Sequence, residues 1–258
     1  MSNAYAGVAR AWAEGPARVY DRLAEAIVAH CPGELAGRHV LDVGAGTGAA
    51  SRALLRRSAR PTAVDAAPDM VEAVRAAGID AVVGDMLALP FTDARFDGAV
   101  AAFAISHVDE PQRALAEMRR VVRRGGFVVV GSFAATEPDA SKTVADEVAH
   151  QFGYTYPAWY VRFKQEVEPL VDDPAMLRRY AEQAGLADMD VTEEAVDTGV
   201  RDPVAIVMSR LGMAHLAPWV AALSEERRAE LIAAAAAAMG AHPEPIRRGL
   251  LVLTSRVP

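Results

Sequence analysis

The chain predicts an α/β fold built on a doubly wound, mostly parallel sheet, and three observations predict it. Five short apolar runs alternate with amphipathic helical stretches between residues 38 and 133. The first run ends in the glycine-studded turn "GAGTG", Gly44 to Gly48. Two more strand-like segments come late, after a long stretch without strand pattern. Strands that alternate with helices pair in parallel, because each helix carries the chain back along the sheet before the next strand begins. With the late pair the sheet has seven strands, the last antiparallel. The result is a Rossmann-like architecture with N-terminal helices and a helical lid or insertion.

Residues 16–30 read as a helix, with Pro16 at its start and Val19, Leu23 and Ile27 recurring on one face. "HVLDV" is a buried strand, and the turn at Gly44 feeds a helix containing Leu54 and Leu55. "TAVD" is a second strand ending at Asp65, and "PDMVEAVRAAG" a helix with Pro68 inside its start and Gly78 past its end. "AVVGD" is a third strand ending at Asp85, "LPFTDARF" a loop and "FDGAVAAF" a fourth strand. "PQRALAEMRRVV" is a helix with Leu115, Met118 and Val122 inward, closed by Gly125 and Gly126. "FVVVGSF" is the fifth strand. Residues 134–175 carry no strand pattern, "PAMLRRYAEQAGL" is a helix and residues 187–200 are a strand. Residues 203–240 are a helical insertion, and "GLLVLTSR" is the last strand. No flexible linker interrupts the chain, so 1–258 reads as one domain. Its parts are N-terminal helices (1–37), a ligand-binding core (38–133) and lid insertions (134–175 and 203–240).

Bulk properties narrow the partners. Lys and Arg number 27 against 34 Asp and Glu, a balance of −7, and no basic run exceeds a pair. A nucleic-acid backbone needs a concentrated basic face, so nucleic acid is not expected as a partner. Cys31 is the single cysteine, which rules out an internal disulfide and suits a reducing compartment. No signal layout and no apolar run of spanning length occur, and the alanine tract 233–238 reads as a helix beside charged residues. The expectation is a soluble, cytoplasmic protein, monomeric or homodimeric, acting on a small molecule without a membrane partner.

The glycine turn fits two ligands. Gly44, Gly46 and Ala49 match the dinucleotide fingerprint, whereas Gly44, Gly46 and Gly48 match the turn that binds S-adenosylmethionine (SAM). Asp65, at the end of the second strand, suits the ribose of either. Asp42 discriminates. It lies two residues before Gly44, where a docked pyrophosphate would meet a carboxylate at a cost on the order of 1–4 kcal/mol. A methionyl tail, with its ammonium near a sulfonium, gains from the same charge. Asp85, at the end of the third strand, can accept from an adenine amino group.

"VLDVGAGTG", "AVDAAPDM", "VVGDMLALPF", "FDGAVAAFAISHV" and "ALAEMRRVVRRGG" stand in the order and spacing of class I SAM-dependent methyltransferases. The chain most resembles their ubiquinone/menaquinone-biosynthesis-type branch. The resemblance covers residues 38–133, and beyond 134 it extends only to layout. Arg124 departs from it, standing where the family usually has proline. The resemblance implies that Gly44, Ala45, Gly46 and Gly48 let the backbone approach the methionyl part. Asp65 and Ala66 would bind the ribose, with Met70 lining the adenine pocket. Asp85 and Met86 would hold the adenine, and Phe103 and Ala104 would pass beneath the sulfonium. For Met70 and Met86 simple core packing serves equally well.

Methyl transfer from a sulfonium asks mainly for alignment, worth up to roughly 7–11 kcal/mol. A base is needed only when the acceptor must lose a proton, and His107, after the fourth strand, is the candidate. Its alternative role is to hydrogen-bond its own loop. The acceptor pocket is expected from "QFGYTYPAWYVRF", Gln151 to Phe163, where Tyr154, Tyr156, Trp159 and Tyr160 stand among six aromatics in thirteen residues. A lid helix or a dimer contact explains that cluster equally well. His150 and His215 share the ambiguity. Tyr5, Trp12 and Tyr20 either close the N-terminal helices over the donor or pack the core. The histidines do not form a metal-ligand set, and "VDD" (Val171 to Asp173) reads as a helix N-cap, so no metal is expected. Two competing functions remain: an NAD-dependent oxidoreductase, and a SAM-binding catalyst or partner subunit that transfers no methyl.

Overall fold

The computed structural model describes residues 5–135 and 140–258; residues 1–4 and 136–139, parts of the expected N-terminal and lid segments, lie outside them. Helices α1 (Ala9–Glu14) and α2 (Ala17–Ala29) precede strand β1 (His39–Val43). There follow α3 (Ala49–Arg56), β2 (Arg60–Asp65), α4 (Pro68–Ala76), β3 (Asp80–Val83), β4 (Phe96–Ala102), α5 (Pro111–Val121) and β5 (Val122–Phe133). The second half supplies α6 (Ala140–Gln151), α7 (Ala158–Arg162), α8 (Pro174–Gln183) and β6 (Ala187–Asp197). It ends with α9 (Pro203–Leu211), α10 (Ala217–Ala222), α11 (Glu225–Met239) and β7 (Arg247–Arg256).

The seven strands run in the order β3-β2-β1-β4-β5-β7-β6. Pairings among β1 to β5 are parallel, and β7 lies antiparallel to both β5 and β6. The expected seven-stranded sheet with an antiparallel last strand is therefore present. The strand order reverses between β1 and β4, which opens a crevice at their carboxyl ends. Side chains alternate across the sheet. Val128 and Val130 of β5 join Leu41, Phe96, Leu115 and Met118 on one face. Phe127 and Val129 join Val19, Leu23, Ile27 and Leu54 on the other. Burial on both faces is why these strands read as continuous apolar runs. A third core, built from Val148, Tyr154, Val207, Leu211, Leu216 and Leu231, ties α6, α9 and α11 into a helical layer above the crevice.

Two boundaries differ from the sequence reading. Helix α5 passes straight into β5 at Val122, which already pairs with Phe96, so Gly125 and Gly126 close no helix. They belong to an extended arm in which a Cβ at Gly126 would stand 2.7 Å from the Asp97 carbonyl. Exposed Arg124 sits in that arm. Strand β3 stops at Val83, and Asp85 instead opens a turn in which its Oδ1 accepts from the Leu87 N–H at 2.9 Å. The N-cap reading of "VDD" agrees with the structure: Asp173 accepts from the Met176 N–H at 2.9 Å at the start of α8.

Candidate active site

A cavity of about 1230 Å³ opens at the carboxyl ends of the strands, under the helical layer. Its floor begins at the turn after β1, where Gly44 and Gly46 have φ of 65° and 54°, the left-handed region that costs a side-chain-bearing residue free energy. A Cβ at Gly44 would also lie 2.2 Å from the Ala104 Cβ. Gly44 therefore has no room for a side chain, Gly46 is constrained by its φ alone, and the turn hugs the start of the loop after β4. Asp65 at the tip of β2 fastens this turn: its Oδ2 accepts from the Gly46 N–H at 2.7 Å and its Oδ1 from the Ala67 N–H at 2.9 Å. Burial raises its pKa.

Asp42 is 1% exposed and lines the cavity. Its Oδ2 accepts from the Ser51 N–H and hydroxyl, at 2.8 and 2.6 Å, while Oδ1 is buried without a partner among the described residues. Burial pushes this carboxyl up to about 6. An orphaned buried acceptor of this kind is costly and marks a place for a positive or hydrogen-donating ligand group. Asp42, Asp65 and Asp85 all line this end of the cavity, and the lining residues from the first five strands and their tips include no lysine or arginine. The donor set fits the ammonium, ribose and adenine of SAM and opposes a pyrophosphate.

Ala45, Ala66, Met70, Met86, Phe103 and Ala104 also line the cavity. Met70 is at the same time packed among Val8, Ala67, Ala214 and Ala217, and Met86 within the sheet core, so both serve packing as well as the wall. Phe103 has φ of 68°, a conformation that costs a bulky residue about 1–3 kcal/mol and clusters at functional sites. Its N–H donates to the Gly131 carbonyl at 2.9 Å, and its ring stacks on Phe133 at 4.6 Å. Gly48 does not reach the cavity. Its φ of 88° starts α3, and its Cα packs toward Val74.

His107 lies in a 3₁₀ turn, Ile105–His107, with its ring stacked on Phe163 at 4.8 Å. Its Nε2 is 3.2 Å from the Tyr5 hydroxyl, and its buried Nδ1 has no partner among the described residues. Burial pulls its pKa down to about 4, so the imidazole is neutral at neutral pH. Tyr5, Trp12 and Tyr20 form a chain of ring contacts, edge-to-face at Tyr5–Trp12 and Tyr20–Phe103 and tilted between Trp12 and Tyr20, and all three line the cavity. They serve the wall and the packing together.

The lid end combines rings with one buried ion pair. Tyr156, Trp159, Tyr160 and exposed His150 line the cavity, as the aromatic cluster predicts; Tyr154 does not. It is 3% exposed in the core of the helical layer, and its hydroxyl donates to the His215 carbonyl at 3.1 Å. Sequence reasoning missed Asp146 and Arg210. Arg210 Nε and Nη2 donate to Asp146 Oδ1 and Oδ2 at 2.6 and 2.7 Å, and the Tyr156 hydroxyl donates to the same Oδ2 at 2.8 Å. Lys164 was missed as well; it pairs with Glu168, and burial pulls it down to about 8. The only signal was an arginine inside the apolar run "PVAIVMSRL". The His215 ring stacks on Tyr160 at 3.7 Å and 4°. Burial, then the charges of Arg210, Lys142 and Lys164, pull His215 down to about 2.

Among the described residues no helix is long and apolar enough to cross a membrane. Residues 41–130 match the family model described as a methyltransferase domain. A demethylmenaquinone methyltransferase of Renibacterium salmoninarum is 37% identical over 123 residues, 47% of this chain and 52% of that protein. The chain thus spans about half the length of the curated relatives it matches. Among solved structures, phosphoethanolamine N-methyltransferase 2 of Haemonchus contortus, in complex with S-adenosylhomocysteine, matches at a TM-score of 0.57. That match has 15% identity and covers 91% of this chain and 52% of that one. The [4+2]-cyclase SpnF matches at 0.56 with 22% identity, over 92% and 80% of the two chains. The two structural likenesses speak for the fold. Residues 41–130 are thus similar to a methyltransferase domain, and the curated relatives matched over about half their length are methyltransferases of the ubiquinone/menaquinone-biosynthesis type.

Proposed function

We propose that this protein transfers a methyl group from SAM to a small, partly apolar acceptor, a quinone precursor or a specialised metabolite, by in-line displacement. The observation that carries the reading is the orphaned Asp42 Oδ1 beside a glycine turn, at a cavity end whose strand tips supply carboxylates and no cation. SAM supplies a sulfonium-activated methyl group, so the chain's task is to bind, align and exclude water. Asp42 would neutralise the ammonium of the methionyl tail, and the Gly44–Gly46 backbone gives that tail room. Asp65 keeps lone pairs beyond its two backbone bonds for the ribose hydroxyls. Asp85 and Met86 would meet the adenine. His107, neutral above about pH 4, would accept a hydrogen bond from the acceptor and orient it, with Tyr5 fixing its ring. The aromatic lid would close over the acceptor. The whole chain would act as one catalytic domain.

Calorimetric titration with SAM and with NADH tests the reading. Saturable SAM binding is expected, and NADH binding without SAM binding overturns it. Asp65→Ala is expected to weaken SAM about 10-fold or more, since hydrogen bonds to a charged group are worth about 1.5–3 kcal/mol. His107→Ala is expected to slow methyl transfer about 10-fold with SAM affinity nearly unchanged. A second reading, a SAM-binding catalyst that transfers no methyl, draws on the likeness to the cyclase SpnF. SAM binding with no methylated product from any metabolite extract would favour it.

A further inference from the structure

The lid wall opposite the strand tips carries two polar groups whose hydrogen-bonding capacity is not filled among the described residues. Tyr160 and His215 stack face to face at 3.7 Å, and both line the cavity. Arg210 Nη2 donates to the Tyr160 oxygen at 3.4 Å, and the hydroxyl proton has no acceptor among the described residues. His215 is 5% exposed and its Nε2 is without a partner among the described residues. A buried imidazole nitrogen left unpaired is costly, and native structures seldom tolerate it unless something else completes the bond.

The surroundings hold both rings rigidly and remove the competing charges. Arg210 spends two donors on Asp146, which also takes the Tyr156 hydroxyl. Lys164 is paired with Glu168. The Tyr154 hydroxyl fixes the His215 backbone through its carbonyl. Arg210 and Lys164 are therefore each matched with a carboxylate, and the buried His215 Nε2 and the Tyr160 hydroxyl proton keep hydrogen-bonding capacity for a ligand. A hydroxyl, which both accepts and donates, is the simplest group that satisfies the two at once.

We propose that Tyr160 and His215 form a recognition subsite for an uncharged ring hydroxyl of the acceptor, phenolic or enolic, with His215 in the Nδ1–H tautomer so that Nε2 accepts. The subsite deepens the reading above by naming the acceptor's chemistry, and it rests on that reading only in taking this cavity as the acceptor's place. Asp146, Arg210 and Tyr154 are positioning residues that keep the two rings in register.

Binding of four probes by calorimetry tests the subsite without turnover: 1-naphthol, 1-methoxynaphthalene, naphthalene and 1-naphthoate. Wild-type protein is expected to bind 1-naphthol about 10-fold more tightly than 1-methoxynaphthalene or naphthalene, the preference a pair of modest hydrogen bonds supplies. Tyr160→Phe and His215→Phe keep the stack and remove the polar atoms, and each is expected to reduce that preference to about 2-fold. Equal affinity for 1-naphthol and naphthalene, no binding of 1-naphthol, or a preference that both variants retain overturns the subsite. Tighter binding of 1-naphthoate than of 1-naphthol also overturns it, because recognition would then belong to the lid cations. S-adenosylhomocysteine titrated into the same proteins reads the donor end separately. If it does not bind, the methyl-transfer reading falls while the naphthol comparison still decides the subsite; unchanged binding in the variants shows that they are folded.

Discussion

The two ends of the cavity are held by different means. At the strand tips, partners lie fairly close in sequence: Asp65 takes N–H groups from Ala67 two residues on and Gly46 nineteen residues back, and Asp42 takes Ser51 nine residues on. At the lid, Arg210 meets Asp146 across 64 residues, and Tyr160 stacks on His215 with α8, β6 and α9 between them in the chain. The strand-tip end is mostly backbone, carboxylate and small residues, whereas the lid end is rings around the Arg210–Asp146 and Lys164–Glu168 ion pairs. Short motifs can therefore build one wall of a cavity, while the other wall depends on contacts that only the assembled lid creates.

Removing half of the buried ion pair should break the lid and spare the strand tips. Arg210→Met leaves Asp146 buried and unpaired, with an expected loss of about 3–5 kcal/mol in urea unfolding. Arg210→Met with Asp146→Leu is expected to recover most of it, because the cost lies in the uncompensated charge. The reciprocal experiment is Gly44→Ala. The added Cβ meets Ala104 at 2.2 Å in a left-handed backbone, and about 1–3 kcal/mol of stability is expected to go along with SAM affinity. Adding Ala104→Gly should relieve the clash and not the backbone strain, so partial recovery is the expected result.

A smaller effect separates the ends by pH. His107 and His215 titrate near 4 and 2 in the folded protein, below an unfolded value of about 6.5. Unfolding therefore takes up protons below pH 6.5, and stability falls as pH drops through that window, by up to about 1.4 kcal/mol per pH unit for each histidine. Asp42 has the opposite sign. Its pKa of about 6 lies above the unfolded carboxyl value, so its protonation stabilises the fold as pH drops from about 6 to 4. Denaturant titrations between pH 4.5 and 7.5 should show a shallower acid loss in His215→Phe and a steeper one in Asp42→Asn.

The sheet was legible because its cause is local. Val40, Leu41 and Val43 in a run, then glycine, specify a buried strand and a left-handed turn whatever the rest of the chain does. The boundaries at Val83 and Val122 were less legible. There a pairing partner decides, as Phe96 does for Val122. Tyr154, Tyr156 and Tyr160 look alike in sequence, yet the first is buried in the helical layer and the other two face the cavity. Spacing does not distinguish them, because the chain between α6 and α7 has no regular period.

Residues within a few positions of one another specify the alternation of strands and helices, the glycine turn and the carboxylates of Asp42 and Asp65 in the first two strands, with Asp85 in the turn after the third. Packing of distant segments settled the pairing of Arg210 with Asp146, the place of Gly48 at a helix start and outside the cavity lining, and the burial of two imidazoles in the neutral form. Those outcomes follow from desolvation and from pairing at a distance, and neither exists until the lid is packed over the sheet.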